Sequence, residues 1–231
     1  MKIPARLTGG TSDSAKSDGA TQLSAKVVYA AFERMVRSNL RSVSVRGQLP
    51  PAPIVWSGNH HSWWDAFVAA SVLRHEGHRL TLEMDAENLK SFGFLKPLHL
   101  VPSDRPRQGL QALRDGTTLI ILPEGELLGP GPMRPLHRGA GWFAQQTRAP
   151  LVPVSLRVVF RGHQHAEAIV DIGAPVAPED LASAMSAQLT ALDELISTAD
   201  PREPLPGFRQ IVAGRRSMDE RISQLAAMVQ R

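Results

Sequence analysis

The chain alternates between short apolar runs and stretches in which apolar residues recur at every third or fourth position. The first pattern is typical of buried strands, and the second is typical of helices that pack against them. Strands are predicted at residues 42–46, 54–57, 80–84, 98–101, 117–122, 151–160 and 168–172. Helices are predicted between several of them, at residues 64–74, 108–114 and 138–147. This alternation predicts a single α/β domain with a largely parallel central sheet flanked by helices.

A longer amphipathic helix is predicted ahead of the first strand, at residues 23–40. Its apolar side chains fall on one broad face, and its charged side chains, mainly arginines, gather on the other. Such a helix either packs on the core or lies in a membrane interface with its arginines at the headgroups. Residues 1–21 are rich in glycine, serine, threonine and aspartate, so we expect a disordered leader before a folded domain at residues 22–231.

The last part of the chain, from about residue 178, is predicted to be helical. Residues 178–196 open with Pro-Glu-Asp, which suits a first helical turn. Residues 217–231 open with a capping box from Ser217 to Glu220. A proline-rich loop separates these two helices, and no repeat or domain-sized linker divides the chain.

Composition and charge narrow the functional classes. The chain has 231 residues, no cysteine and a formal net charge of +4. Disulfides and thiolate metal sites are therefore excluded, and this modest, dispersed charge is no signature of nucleic-acid binding. No apolar run approaches the roughly 18–20 residues that span a bilayer, so we expect the protein to be soluble or to lie on a membrane.

The most informative segment is NHHSWWD, residues 59–65, directly after the predicted strand at residues 54–57. His60 and Asp65 form an H-x-x-x-x-D pair where a strand passes into a helix. A histidine can take a proton from a hydroxyl near neutral pH, and a carboxylate can fix its tautomer. Asn59 is expected to cap the following helix, and His61 is interpreted as a neighbour of the base.

Three other segments adjoin predicted strands. LPEG at residues 122–125 places a carboxylate and a glycine at a strand end, and VPSDRPR at residues 101–107 offers Arg105 as an anion ligand. APLVPVS at residues 149–155 is an irregular strand with two prolines. Taken alone, each of these segments is typical of an ordinary turn, a solvated loop or an edge strand.

In combination, these segments resemble the motifs of the glycerolipid acyltransferase family, which includes the 1-acylglycerol-3-phosphate (lysophosphatidic acid) acyltransferases. Its first motif, N-H-x-S-x-x-D, is matched by residues 59–65, and its second, ending in V-D-R, by residues 103–105. Its third, F-P-E-G-T-R-S, is matched only through residues 123–125, and its V-P-V by residues 152–154. The resemblance covers roughly residues 43–176.

The resemblance implies an acyltransferase domain over residues 22–231. It would move a fatty acyl group from acyl-CoA or acyl carrier protein to a hydroxyl of a lysophospholipid or other lipid-like acceptor. His60 would be the general base and Asp65 its support, with backbone N–H groups near Gly125 holding the oxyanion. The expected substrate-binding residues are Arg105, Glu124, Gly125 and Arg138. No metal or cofactor beyond the acyl donor is implied.

One departure from the family pattern concerns the acceptor. The family's Thr-Arg-Ser after Glu-Gly is Glu126-Leu127-Leu128 here. Losing that arginine and gaining a carboxylate makes the pocket less favourable for a phosphate, unless Arg134 or Arg138 compensates. A simple phosphorylated acceptor is therefore not expected to be the best substrate.

Two other hypotheses remain open. A metal-dependent hydrolase would use His60, His61, Asp65 and Glu124 as ligands, although their spacing matches no recognised metal motif. A catalytically silent lipid-binding protein would explain the degraded third motif. A serine hydrolase is excluded by the absence of G-x-S-x-G. For the acyltransferase we expect a cytoplasmic protein held peripherally at the inner face of the membrane, without a nucleic-acid partner.

Overall fold

A computed structural model of the protein describes residues 12–91, 93–218 and 220–222, which form one mixed sheet with helices packed on it. The strands are β1 (Ser42–Arg46), β2 (Val55–Gly58), β3 (Leu80–Met84), β4 (Val101–Pro102), β5 (Thr118–Ile121), β6 (Leu151–Val159), β7 (Glu167–Ile172) and β8 (Arg209–Ala213). The helices are α1 (Ser12–Asn39), α2 (Asp65–His75), α3 (Ala86–Ser91), α4 (Pro106–Arg114), α5 (Gly139–Thr147) and α6 (Leu181–Thr198). Short 3₁₀ turns occupy Gly93–Leu98 and Pro178–Asp180.

The strand order in the sheet is β4-β3-β5-β2-β6-β7-β1-β8. All neighbours from β4 to β6 are parallel, as are β7 and β1, whereas β6–β7 and β1–β8 are antiparallel. The prediction of a largely parallel α/β sheet is confirmed. Because β3, β5, β2 and β6 run in the same direction, their carboxyl ends meet at one edge, where the loops of open α/β sheets hold their ligands.

The core lies on both faces of the sheet because side chains alternate along each strand. On one face, Trp56 of β2 packs with residues of α1 and α2, including Val36 and Val72. On the other face, Val55 packs with residues of α5 and α6, including Phe143 and Met185. The β2 strand is buried throughout, so the residues that follow it start from a rigid position.

The helix α1 begins at Ser12, eleven residues before the predicted start, and residues 1–11 of the expected leader lie outside the described residues. Near its end, Val36 and Leu40 are buried against the sheet, as the core-packing interpretation requires. Leu23 and Val27, by contrast, are exposed. Within the described part of the chain, no helix is long and apolar enough to cross a membrane.

The expectation of an all-helical end from residue 178 is wrong in one respect. The helix α6 is present, but Arg209–Ala213 forms β8, which pairs antiparallel with β1 at the sheet edge. Because Val212 is the only buried side chain in β8, the strand carries almost no alternating pattern in the sequence. Ser217 N–H donates to Glu220 Oε2 at 2.8 Å, as in a capping box, but residues 223–231 lie outside the described residues.

Two shorter elements also differ from the sequence prediction. Residues 98–101 were expected to form a strand, but the chain there leaves a 3₁₀ turn and forms only the two-residue β4. The helix α3 follows β3 directly, where no helix was predicted. Its cap is Asp85, whose Oδ1 accepts the N–H groups of Glu87 and Asn88 at 2.9 and 3.1 Å.

Candidate active site

His60 and Asp65 meet at the carboxyl edge of the sheet. Asp65 is the first residue of α2, and its Oδ2 lies 3.1 Å from His60 Nδ1 and accepts the Ser62 N–H at 2.8 Å. Because an ionised carboxylate only accepts hydrogen bonds, Nδ1 of His60 carries the proton and Nε2 keeps a free lone pair. The Asp65 side chain is 1% exposed and that of His60 is 23% exposed, so solvent and ligands reach only the histidine.

The Asp65 carboxylate is held in a poorly hydrated position. Burial raises its pKa above the ordinary value, and the hydrogen bonds from His60 and Ser62 offset this only in part. A carboxylate in this setting gains stability when the imidazole beside it becomes positively charged. The pair therefore suits a histidine that takes up a proton during a reaction.

Asn59 does not cap α2, contrary to the sequence prediction. The residue before α2 is Trp64, whereas the fully buried Asn59 side chain pairs with the backbone of Leu156 in β6. Its Oδ1 accepts the Leu156 N–H at 2.7 Å, and its Nδ2 donates to the Leu156 carbonyl at 3.0 Å. Asn59 thus continues the pairing of β2 with β6 beyond the strand end and fixes the position from which His60 projects.

Glu124 lies inside the protein, not on the cavity surface. Its Oε2 accepts the backbone N–H of His60 at 2.8 Å, and its Oε1 accepts the N–H of Arg134 at 3.0 Å and lies 2.9 Å from His61 Nε2. Burial raises the pKa of Glu124, but these hydrogen bonds outweigh it and leave the pKa below the ordinary value. The predicted contact of Glu124 with substrate stays a prediction. Its contacts support a role in positioning His60.

His61 belongs to the same buried network. Its Nδ1 lies 2.6 Å from Nη1 of Arg157. Because a guanidinium can only donate, His61 Nδ1 must be the acceptor and Nε2 must carry the proton that Glu124 accepts. With both ring nitrogens occupied and its side chain 3% exposed, His61 has no free lone pair for an incoming hydroxyl.

Arg157 is the residue that reasoning from sequence missed. It lies in β6, where its guanidinium is 5% exposed and binds Asp193 Oδ1 and Oδ2 of α6 at 2.6 Å each. It also donates to the Gly131 carbonyl at 2.7 Å. An arginine inside the otherwise apolar run LVPVSLRVV was the available signal, because a charge in a buried strand requires partners.

Gly125 has φ +77°, in the region that favours glycine, and a Cβ there would lie 2.8 Å from the His137 ring. Its N–H donates to the Leu122 carbonyl at 3.0 Å within the turn, so this amide is not free to hold an oxyanion as expected. Close by, the N–H of Leu128 donates to the His60 carbonyl at 2.9 Å. The turn after β5 is thus bonded to the loop that carries His60, and Gly125 allows the His137 ring to approach closely.

Two adjoining cavities meet at His60. The first, which we call the apolar cavity, has a volume of about 340 Å³ and extends between the sheet, α1, α2 and the turn before β4. Its lining includes Tyr29, Phe32, Trp63, Phe67, Leu82, Leu98 and Leu127. The second, which we call the polar cavity, has a volume of about 380 Å³. Its polar lining residues are His60, Glu83, Asp85, Asn88, Ser103 and His137.

The two arginines predicted to bind substrate flank the polar cavity. Arg105 precedes α4 and Arg138 precedes α5, and both side chains are exposed. Their neighbours Ser103, His137 and Gly139 line the polar cavity, but no arginine of the described residues does. Their predicted contacts with substrate are therefore untested.

Residues 42–157 match the model of the Acyltransferase family, which is half of the chain. The chain belongs to the acyltransferase family. It is 33% identical over 104 residues to a 1-acyl-sn-glycerol-3-phosphate acyltransferase of Bacillus subtilis, a match that covers 42% of this chain and 51% of that protein. The chain thus spans about half the length of this curated relative.

The acyltransferase fold is also seen in a solved structure. The crystal structure of the 1-acyl-sn-glycerophosphate acyltransferase PlsC from Thermotoga maritima resembles this chain with a TM-score of 0.57. The alignment is 19% identical and covers 82% of this chain and 86% of that one. This similarity supports the fold assigned above.

The four side chains that a metal-dependent hydrolase would need as ligands do not form one cluster. Among the described residues, no three His, Cys, Asp or Glu side chains form a group that could hold a metal ion. His61 and Glu124 are bonded to each other inside the protein, whereas the buried Asp65 is bonded to the partly exposed His60. The four proposed ligands thus belong to two separate pairs.

Proposed function

We propose that this acyltransferase moves a fatty acyl group from a thioester donor to a hydroxyl of a lipid-like acceptor. His60 Nε2 takes the hydroxyl proton as the acceptor oxygen bonds to the thioester carbonyl carbon. The tetrahedral intermediate then expels the thiolate, which receives the proton from His60, so the histidine is regenerated. Asp65 stabilises the transient imidazolium. The observation that carries the proposal is that His60, bonded to the buried Asp65, lines both an apolar and a polar cavity.

The two cavities suit the two substrates of such a reaction, the acyl chain of the donor and the headgroup of the acceptor. The apolar cavity offers space for an alkyl chain, because it is lined mainly by aliphatic and aromatic side chains, and His60 is also part of its lining. Burying each methylene there contributes about 0.8 kcal/mol, which favours a long acyl chain. The polar cavity leaves room for the acceptor's hydroxyl and headgroup on the other side of the histidine.

The direct test is incubation of the purified protein with radiolabelled acyl-CoA or acyl carrier protein and a panel of acceptors. The panel contains lysophosphatidic acid, other lysophospholipids, a lysoglycolipid and an uncharged lipid alcohol. Transfer of label to an acceptor that persists in chelator supports the proposal. Release of free fatty acid that depends on a metal would support a hydrolase, and binding of lipid without any product would support a silent homologue.

The acceptor that we propose carries an uncharged headgroup. Burial raises the pKa of Glu83, whose carboxylate lines the polar cavity beside His60. Asp85 lies near it, and Glu126 follows Gly125 where the family pattern has threonine. Carboxylates repel a phosphate, whereas they accept hydrogen bonds from the hydroxyls of a sugar or an alcohol.

We expect kcat/KM for an uncharged lipid alcohol or glycolipid to equal or exceed that for lysophosphatidic acid. Glu83→Gln should raise kcat/KM for lysophosphatidic acid by about tenfold, because it removes one carboxylate from the phosphate's surroundings. Glu87→Gln, an exposed carboxylate of α3, is the matched control and should change neither value. A hundredfold preference of the wild type for lysophosphatidic acid would refute this choice of acceptor.

We also propose that α1 holds the protein on a membrane surface. Leu23 and Val27 are exposed on α1, and exposed Trp63 and Leu127 line the apolar cavity. Two apolar side chains at the lipid interface contribute roughly 1.5–3 kcal/mol each, and arginines nearby add attraction to anionic lipids. The cytoplasmic face of a membrane would supply such lipids.

Replacing both exposed α1 residues by aspartate (Leu23→Asp with Val27→Asp) should lower co-sedimentation with anionic liposomes by at least about tenfold. High salt should weaken binding of the wild type, since exposed charges are screened. Exchanging the two residues (Leu23→Val with Val27→Leu) keeps the apolar surface and should leave binding unchanged. If the aspartate variant sediments like the wild type, the membrane contact lies elsewhere.

A further inference from the structure

A third cavity lies beside the last three strands of the sheet order, where β7, β1 and β8 meet the loop after α6. Its volume of about 440 Å³ falls within the range of small-molecule sites. We call it the basic cavity. Its charged lining consists of four guanidinium groups and two carboxylates, those of Arg41, Arg161, Arg202, Arg216, Glu167 and Glu220.

The positive charge extends beyond this cavity. A neighbouring depression of about 640 Å³ shares Gly214 and Arg216 with it, and no carboxylate is among the described residues that line this depression. These arginines account for part of the pKa shifts of two nearby groups. Hydrogen bonding from Arg41 lowers the pKa of Glu220 to about 2. Burial and then the charges of Arg215, Arg221 and Arg41 lower the pKa of His165.

Three of the four arginines of the basic cavity fall into two groups. Arg41 and Arg161 are engaged in the fold, the first with Glu220 at 2.5 Å and the second with Glu167 at 3.2 Å. Arg202 is exposed, and within the described residues its guanidinium forms no hydrogen bond or ion pair. Arg202 is therefore free to bind an anion, and the other two keep the wall of the cavity in place.

The floor of the basic cavity is apolar and partly aromatic, formed by Ile169, Leu205 and Phe208. Arg46 lies over the Phe208 ring at 4.8 Å and helps to hold it. A ring next to guanidinium groups suits a ligand that joins a heteroaromatic base to phosphates, because bases stack on aromatic rings and phosphates pair with arginine. Lipid headgroups at a membrane surface would bind to arginines on a flat face of the protein. The concave shape of this site therefore favours a small-molecule ligand over a membrane.

The basic cavity lies on the same sheet edge as His60. Arg41 directly precedes β1, and the first residue of β1, Ser42, pairs with Glu167 of β7. Glu167 also pairs with Val159, so this end of β1 lies beside the carboxyl end of β6. The strand β2, which leads to His60, is next to β6. Three strand spacings of about 4.8 Å separate β1 from β2, or about 14 Å. A ligand that reaches both sites must have a long, flexible arm.

We propose that the basic cavity binds the phosphorylated nucleotide of a coenzyme A thioester, the acyl donor of the proposed transfer. The pantetheine arm of that donor would run along the sheet edge and place its thioester at His60. This inference rests on the proposed function and selects the coenzyme over an acidic carrier protein. The arginines contribute to donor binding and take no part in the chemistry.

Binding is tested first without any reaction, by calorimetry with coenzyme A and with adenosine 3′,5′-bisphosphate. Both should bind the wild type. Arg202→Gln should weaken both by about tenfold, the effect of losing one charge-assisted contact to a phosphate. Arg114→Gln, an exposed arginine of α4, is the matched control and should bind like the wild type. Failure of the wild type to bind either compound would overturn the proposal.

Turnover then separates the possible ligands. Arg202→Gln should raise KM for acyl-CoA about tenfold with kcat within about twofold of the wild type. An S-acyl pantetheine, which lacks the nucleotide, should be used equally by both proteins. A rise in KM only for acyl carrier protein, or a loss of liposome binding with KM for acyl-CoA unchanged, would assign the arginines to another partner. Binding of coenzyme A that depends on Arg202, in a protein without transferase activity, would keep this site and refute the proposed function.

Discussion

His60→Ala should lower kcat by about 10²–10⁴-fold while leaving the fold intact, because it removes the general base of the acyl transfer. The His60 side chain is partly exposed, and among the described residues its only hydrogen bond is that of Nδ1 to Asp65. After its loss the buried Asp65 Oδ2 still accepts the Ser62 N–H, so this oxygen keeps a hydrogen-bond partner. Activity is measured with the best acceptor of the panel, and circular dichroism checks the fold.

Two further variants distinguish the base from its neighbours. Asp65→Asn should also lower kcat, since an amide cannot stabilise the imidazolium that forms in the transition state. His61→Gln, which keeps hydrogen-bonding groups between Glu124 and Arg157, should retain most of the activity. Added imidazole should restore part of the activity of His60→Ala only. If His61→Gln is inactive and His60→Ala is active, the base has been assigned to the wrong histidine.

The second large effect is expected at Arg157. Arg157→Met should lower the free energy of unfolding by about 3 kcal/mol, because it leaves His61 Nδ1 without a donor in a buried position and removes the link between β6 and α6. It should also lower kcat, since His61 and Glu124 hold the backbone of His60. Chemical denaturation measures the first effect and steady-state kinetics the second.

Asp193→Asn provides the matched comparison for Arg157→Met. The Asp193 side chain is 45% exposed but its partner Arg157 is 5% exposed, so removing the counter-charge while keeping an amide oxygen as acceptor should cost about 1–2 kcal/mol, less than Arg157→Met. The His61–Glu124 contact does not involve Asp193, so kcat should stay close to that of the wild type. Equal and small losses of stability in the two variants would show that the network around His61 does not depend on Arg157.

The apolar periodicity of the chain was sufficient to predict a largely parallel α/β sheet, because strands such as TLII are buried on both sides and therefore read as continuous apolar runs. It failed at β8, since an edge strand with one buried residue has no such pattern. The helix α3 was missed as well, because all of its described side chains lie outside the core and leave no apolar face in the sequence.

The sequence by itself determined the motif that links His60 to Asp65, because both ends of that contact lie within one turn between a strand and a helix. Only the tertiary structure decided the functions of Asn59, Glu124 and Arg157. Their partners are between 63 and 97 residues away for His61–Glu124, Arg157–His61 and Asn59–Leu156, and local spacing carries no information about such pairs. The strand order brings β2, β5 and β6 side by side, and this adjacency turns three separated segments into one bonded support for the histidine.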